Sequence, residues 1–426
     1  MSHRPLHQLS PDQLVHTGGR LLQRPDGIFV ANAHIELQLR PSPAVDDKLS
    51  DLPHGTLLRI SGRRQGSTFE LHRHRVVRTP TASRPSLEDE RSIALGQALN
   101  ARHQLYRTIH RFFEHHQFLE VYTPALGLSP GTDPHIAPLS VSFTDAHGGE
   151  ARHRAYLHTS PELVMKRLLS AGAGPIYQLC RVWRNGEISP THNPEFSLLE
   201  WYRPWETLDA IMADTQALVS QVLDSDSGRP TSPPFRTMAM AEVVEAACGF
   251  NLEEALDLPS LKEAIRKHEL LSERALHEAP WDELFYSLTV SHIDPWLATQ
   301  GAIFVTRWPI QLAVLAKPCD DDPRFAQRVE LYIDGVELAN GFGELTDPDE
   351  QRLRFHQDNQ QRRHLDLPQL PLPSAFLHSL EWGMPPSSGI ALGVDRLLLL
   401  ATENATNLRD IAPFSWRRQD GQVQWP

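Results

Sequence analysis

Residues 14–79 read as short strands, and in parts of them apolar and polar positions alternate with the two-residue period of half-buried strands. Leu14–Leu22 predicts one strand, ended by the turn Arg24-Pro25-Asp26-Gly27. Ile28–Leu39 holds an alternating stretch with Ile35, Leu37 and Leu39 on one face. Thr56–Ser61 leads into a Gly62–Gly66 turn, and Thr68–Val77 alternates again. Short strands joined by Gly and Pro turns predict a small barrel or sandwich. The Pro-rich segment 41–53 reads as a loop, and Pro80–Pro85 as a linker between domains.

From Leu87 the period becomes helical: Leu105, Ile109, Phe112 and Phe113 fall at i, i+4, i+7 and i+8 and form one apolar stripe. The chain then extends through Phe118–Pro124. Further helices are expected at Pro161–Leu169, Leu208–Leu223 and Ser260–Leu270, with a charged surface helix at Asp349–Arg363. Strands are expected at Ile176–Trp183, Phe196–Trp201, Ile303–Thr306, Arg328–Ile333 and Gly389–Gly393. Ser225–Pro234 is a polar connection, and residues 235–300 carry no nameable chemistry. Strand runs broken by helices, without a regular βαβ rhythm, favour a mainly antiparallel sheet with helices packed on it, an α+β fold. Two domains follow: 1–85, a small β-domain, and 86–426, the larger body.

Charge sharpens this division. The 426 residues carry 41 Lys+Arg against 53 Asp+Glu, a net charge of −12. Residues 1–85 hold 12 basic and 7 acidic side chains, so +5 sits on the β-domain and −17 on the rest. Such a basic block is either a docking surface for a polyanion or acidic protein, or plain asymmetry. The His72–Arg75 run reads equally as a nucleic-acid-facing edge or a solvated strand face. Cys180, Cys248 and Cys319 are far apart and make no disulfide framework or cysteine zinc site. No apolar run is long enough to span a membrane, and the N-terminus lacks a secretory apolar core; a cytoplasmic location and no membrane partner are expected.

The common phosphate-loop, dinucleotide, zinc-protease and hydrolase signatures are absent. Chemistry concentrates instead in four segments. At Ser160-Pro161-Glu162 a strand end runs into a helix; Ser160 can cap it, Pro161 suits its first turn, and Glu162 complements the helix dipole or faces a ligand. In Arg184–Tyr202 two strands flank a polar loop, and Arg184 and Glu200 either face one pocket or make an ordinary salt-bridged hairpin. In Glu330–Glu344 the carboxylates Glu330 and Glu337 are seven apart, so a plain strand turns them to opposite faces; a bulge or turn at Asp334-Gly335 restores convergence. Two close carboxylates make sense around Mg²⁺ and a polyphosphate. In Gly389–Arg396, glycines permit close backbone approach, and Arg396 brings positive charge to a helix start.

Together these segments resemble the class II aminoacyl-tRNA synthetase core in its lysyl branch, over about residues 100–415. Phe112–Pro124 looks like motif 1, Arg184–Glu200 like motif 2 and Gly389–Arg396 like motif 3. Within the branch, HTSPELVMKRLLSAGAGPIYQLCRVWRN, HNPEFSLLEWYRP, ELANGFGELTD and GMPPSSGIALGVDRLLLL resemble the group of ligases that attach lysine or (R)-β-lysine to elongation factor P. Ala391 is similar to that group, where lysyl-tRNA synthetases carry glycine.

The resemblance implies a class II antiparallel sheet flanked by helices, an OB-like N-terminal barrel, ATP and Mg²⁺ as cofactors, and a homodimer built on motif 1. It implies Arg184 and Arg396 as catalytic residues, Arg184 bridging the lysine carboxylate and the α-phosphate. ATP would lie against Arg184, Asn185, Gly186, Glu187, His192, Asn193, Phe196, Glu337, Leu338 and Arg396, with adenine between Phe196 and Arg396. Glu330 and Glu337 would hold the metal. Ser160, Pro161 and Glu162 would receive the substrate's amino end, Glu344 and Tyr202 its distal ammonium, with Glu200, Asn340, Phe342 and Ala391 around them. The acceptor implied is a lysine of elongation factor P; tRNA-Lys is the alternative.

Two departures stand out. Motif 2 of the family runs Arg-Asn-Glu, whereas Arg184-Asn185-Gly186-Glu187 moves the carboxylate one place along. On a strand that shift reverses its face; on a loop it can still reach, and a non-catalytic relative is the reading if it does not. The other is the basic β-domain, which resembles a shortened OB fold where the ligase group has none.

Overall fold

The computed structural model describes residues 9–10, 13–32, 35–43, 45, 49–81, 92–144, 153–226, 235–277, 279–403, 405–412, 415–419 and 422–424. Most of the expected Pro80–Pro85 linker and of the Ser225–Pro234 connection lies outside them. The chain forms two compact units, Met1–Tyr106 with Asn404–Pro426, and Arg107–Glu403.

In the first unit the alternation does what its period demands. Strands β1 (Leu14–Arg24), β2 (Gly27–Ala31), β3 (Glu36–Pro41), β4 (Leu57–Gln65) and β5 (Thr68–Arg78) close into a barrel in the order β1-β2-β3-β5-β4. A five-stranded closed barrel is the OB arrangement. Every second residue points inward, so Leu21, Val30, Leu37, Leu58, Ile60 and Phe69 share one core. Expected as one stretch, Ile28–Leu39 splits into β2 and β3, and Asn32 and Ile35 between them are hydrogen-bonded to each other. The 41–53 loop is gathered by Gln23, whose amide donates to the carbonyls of Ser50 and Leu52, each at 2.9 Å. Gly62 admits no side chain: a Cβ there would lie 1.9 Å from the Glu70 carbonyl oxygen.

The second unit is built on an eight-stranded sheet. Helix α1 (Ser92–His115) leads in, and its stripe of Leu105, Ile109, Phe112 and Phe113 is buried. Strands β6 (Leu119–Glu120), β7 (Leu126–Gly127), β8 (Ser140–Phe143) and β9 (His153–Leu157) follow, then helix α2 (Glu162–Ser170). Next come β10 (Ile176–Trp183), β11 (Glu195–Pro204), helix α3 (Leu208–Asp226), β12 (Arg236–Ala239), β13 (Ala302–Pro309), β14 (Phe325–Ile333), β15 (Val336–Gly343) and β16 (Ser387–Gly393). The large sheet runs β12-β13-β14-β15-β16-β11-β10-β6, and β7-β9-β8 form a small one. Only the β6·β10 and β12·β13 pairs in the large sheet are parallel. It is a mixed α/β unit with an antiparallel-rich sheet and packed helices, as the pattern requires.

Residues 240–297 are mostly helical, and Met240, Val243, Leu261, Phe285 and Leu288 pack with Ile303 and Val305 of β13. One expectation is corrected. Helix Pro348–His364 is charged but is not merely a surface helix: Gln351, Arg354, Phe355, Asp358, Asn359 and Arg362 are buried. Arg354 donates to the carbonyls of Ala313 and Ala316 at 2.7 and 2.8 Å. Hydropathy misjudges such a helix because the buried charge satisfies backbone acceptors, which lie far away in sequence.

Phe113 centres the packing between α1 and the sheet. It stacks on Tyr177 at 4.3 Å and meets Phe118 and Trp201 edge-on at 5.0 and 5.4 Å. Phe113→Ala is expected to destabilise this unit by about 3–5 kcal/mol, measured as a lowered denaturant midpoint followed by tryptophan fluorescence.

Candidate active site

Strand register draws the site's residues into rows. Glu330 of β14 pairs with Asn340 of β15, Asn340 with Ala391 of β16, Ala391 with Glu200 of β11, and Glu200 with Gln178 of β10. Two residues along, Arg328, Phe342, Gly389, Tyr202 and Ile176 make the neighbouring row. Positions two apart on a strand share a face, so both rows line the same side of the sheet.

Glu337 joins that side through a bulge. Tyr332 pairs with Glu337 but Leu331 with Ala339, leaving Leu338 as an extra residue. The turn at Asp334-Gly335 has φ of 50° and 79°, the left-handed pair of a tight hairpin, and it leaves the register regular. The convergence expected at the turn is therefore made three residues later, by the bulge.

Beside the row that holds Phe342, Gly389 and Tyr202 lies a carboxylate pocket. Pro161 starts α2, and the Ser160 hydroxyl accepts from the Glu162 N–H at 3.0 Å while donating to Glu200 at 2.7 Å. The Tyr202 hydroxyl donates to the other Glu200 oxygen. Glu344 stands just past β15, its N–H held by the Ser387 carbonyl at 2.9 Å. Lys166, one turn along α2 from Glu162, reaches both Glu162, at 2.5 Å, and Glu344. Its ammonium also lies 6.0 Å from the centre of the Phe342 ring. Lys166, Glu200 and Glu344 are all at least 98% buried.

Burial pushes the Glu200 carboxyl up to about 7, with Glu162 adding repulsion and the Tyr202 and Ser160 hydroxyls opposing. It pushes Glu344 up to about 8, against the pull of Lys166. Burial alone depresses the Lys166 ammonium, but Glu162 and Glu344 more than reverse this and leave it raised. Three buried acceptors in this region, both Glu344 oxygens and Asn340 Oδ1, have no hydrogen-bond donor among the described residues, although the Lys166 ammonium is in ion-pair contact with one Glu344 oxygen. An ammonium is the group that such acceptors fit.

The cationic end is assembled around the loop between β10 and β11. The Arg184 guanidinium lies 5.1 Å from the centre of the Phe196 ring, and its Nε is a buried donor without a partner among the described residues. Asn185 is fixed by its N–H to the Ala137 carbonyl at 2.7 Å, Gly186 turns the chain at φ 83°, and Glu187 comes back to 3.9 Å from Arg184. The displaced carboxylate thus sits on a loop beyond the end of β10, where strand parity no longer governs its direction. Arg396 donates to the Glu337 carbonyl at 2.5 Å and to His192 Nε2 at 2.6 Å. Burial and the Arg396 charge hold His192 below its usual range, in the neutral form that accepts this bond, and Glu187, Glu337 and Arg184 all act on the same ring. Asn193 and Leu338 are buried nearby in sequence to these groups.

Glu330 accepts from Tyr332 at 2.6 Å and from Arg328. Burial pushes its carboxyl up to about 7; Arg328 opposes the rise and Glu337 adds to it. No cluster of three or more metal-ligating side chains occurs among the described residues. Two mutually repelling carboxylates nonetheless fit a hard divalent cation whose remaining oxygen ligands come from phosphate and water.

Two positioning groups escaped the sequence reading, and a third, Gly389, was read only as a place of close backbone approach. Lys166 was signalled only by its i+4 spacing from Glu162. Asp395 accepts from the Ser197 N–H at 2.6 Å and ties β11 to the helix start that carries Arg396. Gly389 is required by space: a Cβ there would come within 2.3 Å of the Tyr202 ring and 2.9 Å of Glu344 Oε1.

Residues 84–418 match the family model of the class II tRNA synthetases (D, K and N). The chain belongs to this family. It is 42% identical over 314 residues to the elongation factor P–(R)-β-lysine ligase of Edwardsiella ictaluri, a match covering 74% of this chain and 93% of that protein. The ligase of the same name from Pectobacterium carotovorum subsp. carotovorum is 41% identical over 317 residues, 74% and 94% of the two chains. That of Haemophilus influenzae is 38% identical over 314 residues, 74% and 93%. About a quarter of this chain, but under a tenth of each relative, lies outside the match; the barrel precedes the family match.

Gly389→Ala is expected to cost about 1–3 kcal/mol by overpacking Tyr202 and Glu344. Gly393→Ala, whose Cβ would meet only the Arg396 side chain at 3.5 Å, is expected to cost less than about 1 kcal/mol. Chemical denaturation of the two variants side by side checks the contrast.

Proposed function

We propose that this chain activates lysine or (R)-β-lysine with ATP as an aminoacyl adenylate and transfers it to a lysine side chain of elongation factor P. The observation that carries the reading is the polarity of the site: a buried acidic pocket toward one end of the central strands and two arginines toward the other. A diamino acid has the complementary polarity. The names of the relatives support elongation factor P as acceptor.

Arg184 and Arg396 are the catalytic residues of this reading. The lysine carboxylate, already ionised near neutral pH, attacks the α-phosphorus in line and pyrophosphate leaves. Arg184 offers its free Nε–H side to the carboxylate and α-phosphate, so alignment and positive charge supply the rate enhancement. ATP lies along Arg184, Asn185, Gly186, Glu187, His192, Asn193, Phe196, Glu337, Leu338 and Arg396. Glu330 and Glu337 would hold Mg²⁺, which when bound would offset phosphate charge. The neutral acceptor amine then attacks the mixed-anhydride carbonyl, loses a proton, and AMP departs.

Ser160, Pro161 and Glu162 take the substrate's amino end, while Glu344, Tyr202 and Glu200 take its distal ammonium. Asn340, Phe342 and Ala391 shape the space between. The protein works as a cytoplasmic homodimer in this reading; no helix among the described residues is long and apolar enough to cross a membrane. Support for the dimer is the exposure of Tyr122 and Leu128 in and beside motif 1, at 80% and 74%. A second reading, charging of tRNA-Lys, is favoured by one feature: Arg59 and Arg75 are cross-strand neighbours on the barrel's exposed surface. Like charges opposite each other are unfavourable without an anion.

Labelled lysine, ATP and either elongation factor P or tRNA-Lys separate the two readings: label is expected on elongation factor P, and label on tRNA alone would reject the proposal. Glu344→Gln is expected to raise the lysine KM in pyrophosphate exchange by about 100-fold or more, because a buried ammonium loses its charged partner. Since Glu344 and Glu200 bind an ammonium only when ionised and titrate at about 8 and about 7, lysine KM should fall as pH rises from about 6 to about 8. A flat profile would contradict the pocket. Light scattering should give a dimer, weakened by Tyr122→Asp with Leu128→Asp.

A further inference from the structure

Three carboxylates converge on the pocket, yet the substrate assigned to it brings only two ammonium groups. The mismatch is one charge, and the protein supplies it. Lys166 is fully buried, bonded to Glu162 at 2.5 Å and in ion-pair contact with Glu344. Its ammonium also lies 6.0 Å from the centre of the Phe342 ring. No other basic side chain contacts Glu162, Glu200 or Glu344 among the described residues. Glu200 is served instead by two neutral donors, Ser160 and Tyr202.

Neither Glu344 oxygen has a hydrogen-bond partner among the described residues, and the Lys166 ammonium meets one of them as an ion pair. A carboxylate that is more than nine-tenths buried therefore has one oxygen in ion-pair contact with the protein's own cation, while neither oxygen is held by a hydrogen bond. We infer that Lys166 is a permanent counter-ion of the pocket, a positioning residue that aims Glu162 and Glu344 and reduces three negative charges to the two that a diamino acid neutralises. This rests on the functional reading above and adds to it a determinant of specificity. With Lys166 in place, a substrate carrying two ammonium groups closes the charge balance. A monoamino acid of the same length leaves one buried carboxylate uncompensated, which is strongly unfavourable.

The geometry accounts for why a lysine at this position can stay. Glu162 and Lys166 are i and i+4 on α2, the favourable order for a helical pair. The ammonium is thus delivered from the helix, while Glu200 and Tyr202 come from β11 and Glu344 from the end of β15. Each faces the others from a different element. An arginine in place of Lys166 keeps the charge, whereas glutamine keeps length and polarity without it.

The test measures lysine-dependent pyrophosphate exchange for the whole wild-type chain, Lys166→Gln, Lys166→Met and Lys166→Arg between pH 6 and 9, with norleucine as the monoamino probe. For Lys166→Gln and Lys166→Met the lysine KM is expected to rise about tenfold or more, with kcat and the KM for ATP changed by less than about threefold. The midpoint of the KM–pH profile should move to higher pH, because Glu344 loses the cation that opposes its protonation. The preference for lysine over norleucine should shrink. Lys166→Arg should recover most of the lost affinity.

Should Lys166→Met fail to fold, the contrast between Gln and Arg carries the same information. Equal lysine KM and pH midpoint in the Gln and Arg variants, or tighter lysine binding once the cation is gone, would overturn the inference and leave the functional reading standing. The absence of lysine-dependent exchange in the wild-type protein would overturn both.

Discussion

Negative charge buried in one pocket is the constraint around which the catalytic unit is arranged. Glu162, Glu200 and Glu344 come from three different elements, and two of them are almost entirely shielded from water. An uncompensated buried carboxylate costs several kcal/mol, so every feature near them serves to compensate or to place one. Ser160 closes the start of α2 and binds Glu200 with the same hydroxyl. Tyr202 takes the second Glu200 oxygen, and Gly389 exists to leave room for that ring. Lys166 joins Glu162 to Glu344. Remove any one of these and a carboxyl group loses either its partner or its position.

The sheet converts this local chemistry into direction. Because antiparallel pairing is strict, the row from Glu330 through Asn340, Ala391 and Glu200 to Gln178 is fixed by backbone hydrogen bonds before any side chain is chosen. The acidic pocket and the arginines Arg184 and Arg396 are carried by the same strands, or by the loop and helix attached to their ends. A ligand that is cationic at one end and anionic at the other is complementary to this arrangement. The bulge at Leu338 is the one irregularity that this plan needs, since it brings Glu337 to the face of Glu330 while keeping Asn340 in the row.

The N-terminal barrel follows a different logic. Its core is satisfied internally by alternating Leu, Ile, Val and Phe side chains, and the closed ring has no free edge along most of its length. Its outer surface is thus free of packing duty, and there the basic residues of β4 and β5 accumulate. Charge on a surface of that kind is a statement about association, not about fold.

Much of this was legible in the residues. Period-two alternation announced the barrel strands, and the i, i+4, i+7, i+8 stripe announced α1. The four polar segments named most of the pocket, since ionisable side chains clustered in otherwise apolar stretches are too costly to bury without purpose. Local order and residue type were enough for these. The role of Lys166, the space demanded at Gly389, the bulge at Leu338, the return of Glu187 and the buried face of Pro348–His364 belonged to tertiary structure. Each depends on groups distant along the chain, or on a register shift of one residue, and neither a period nor a motif encodes which carboxylate a buried cation will meet.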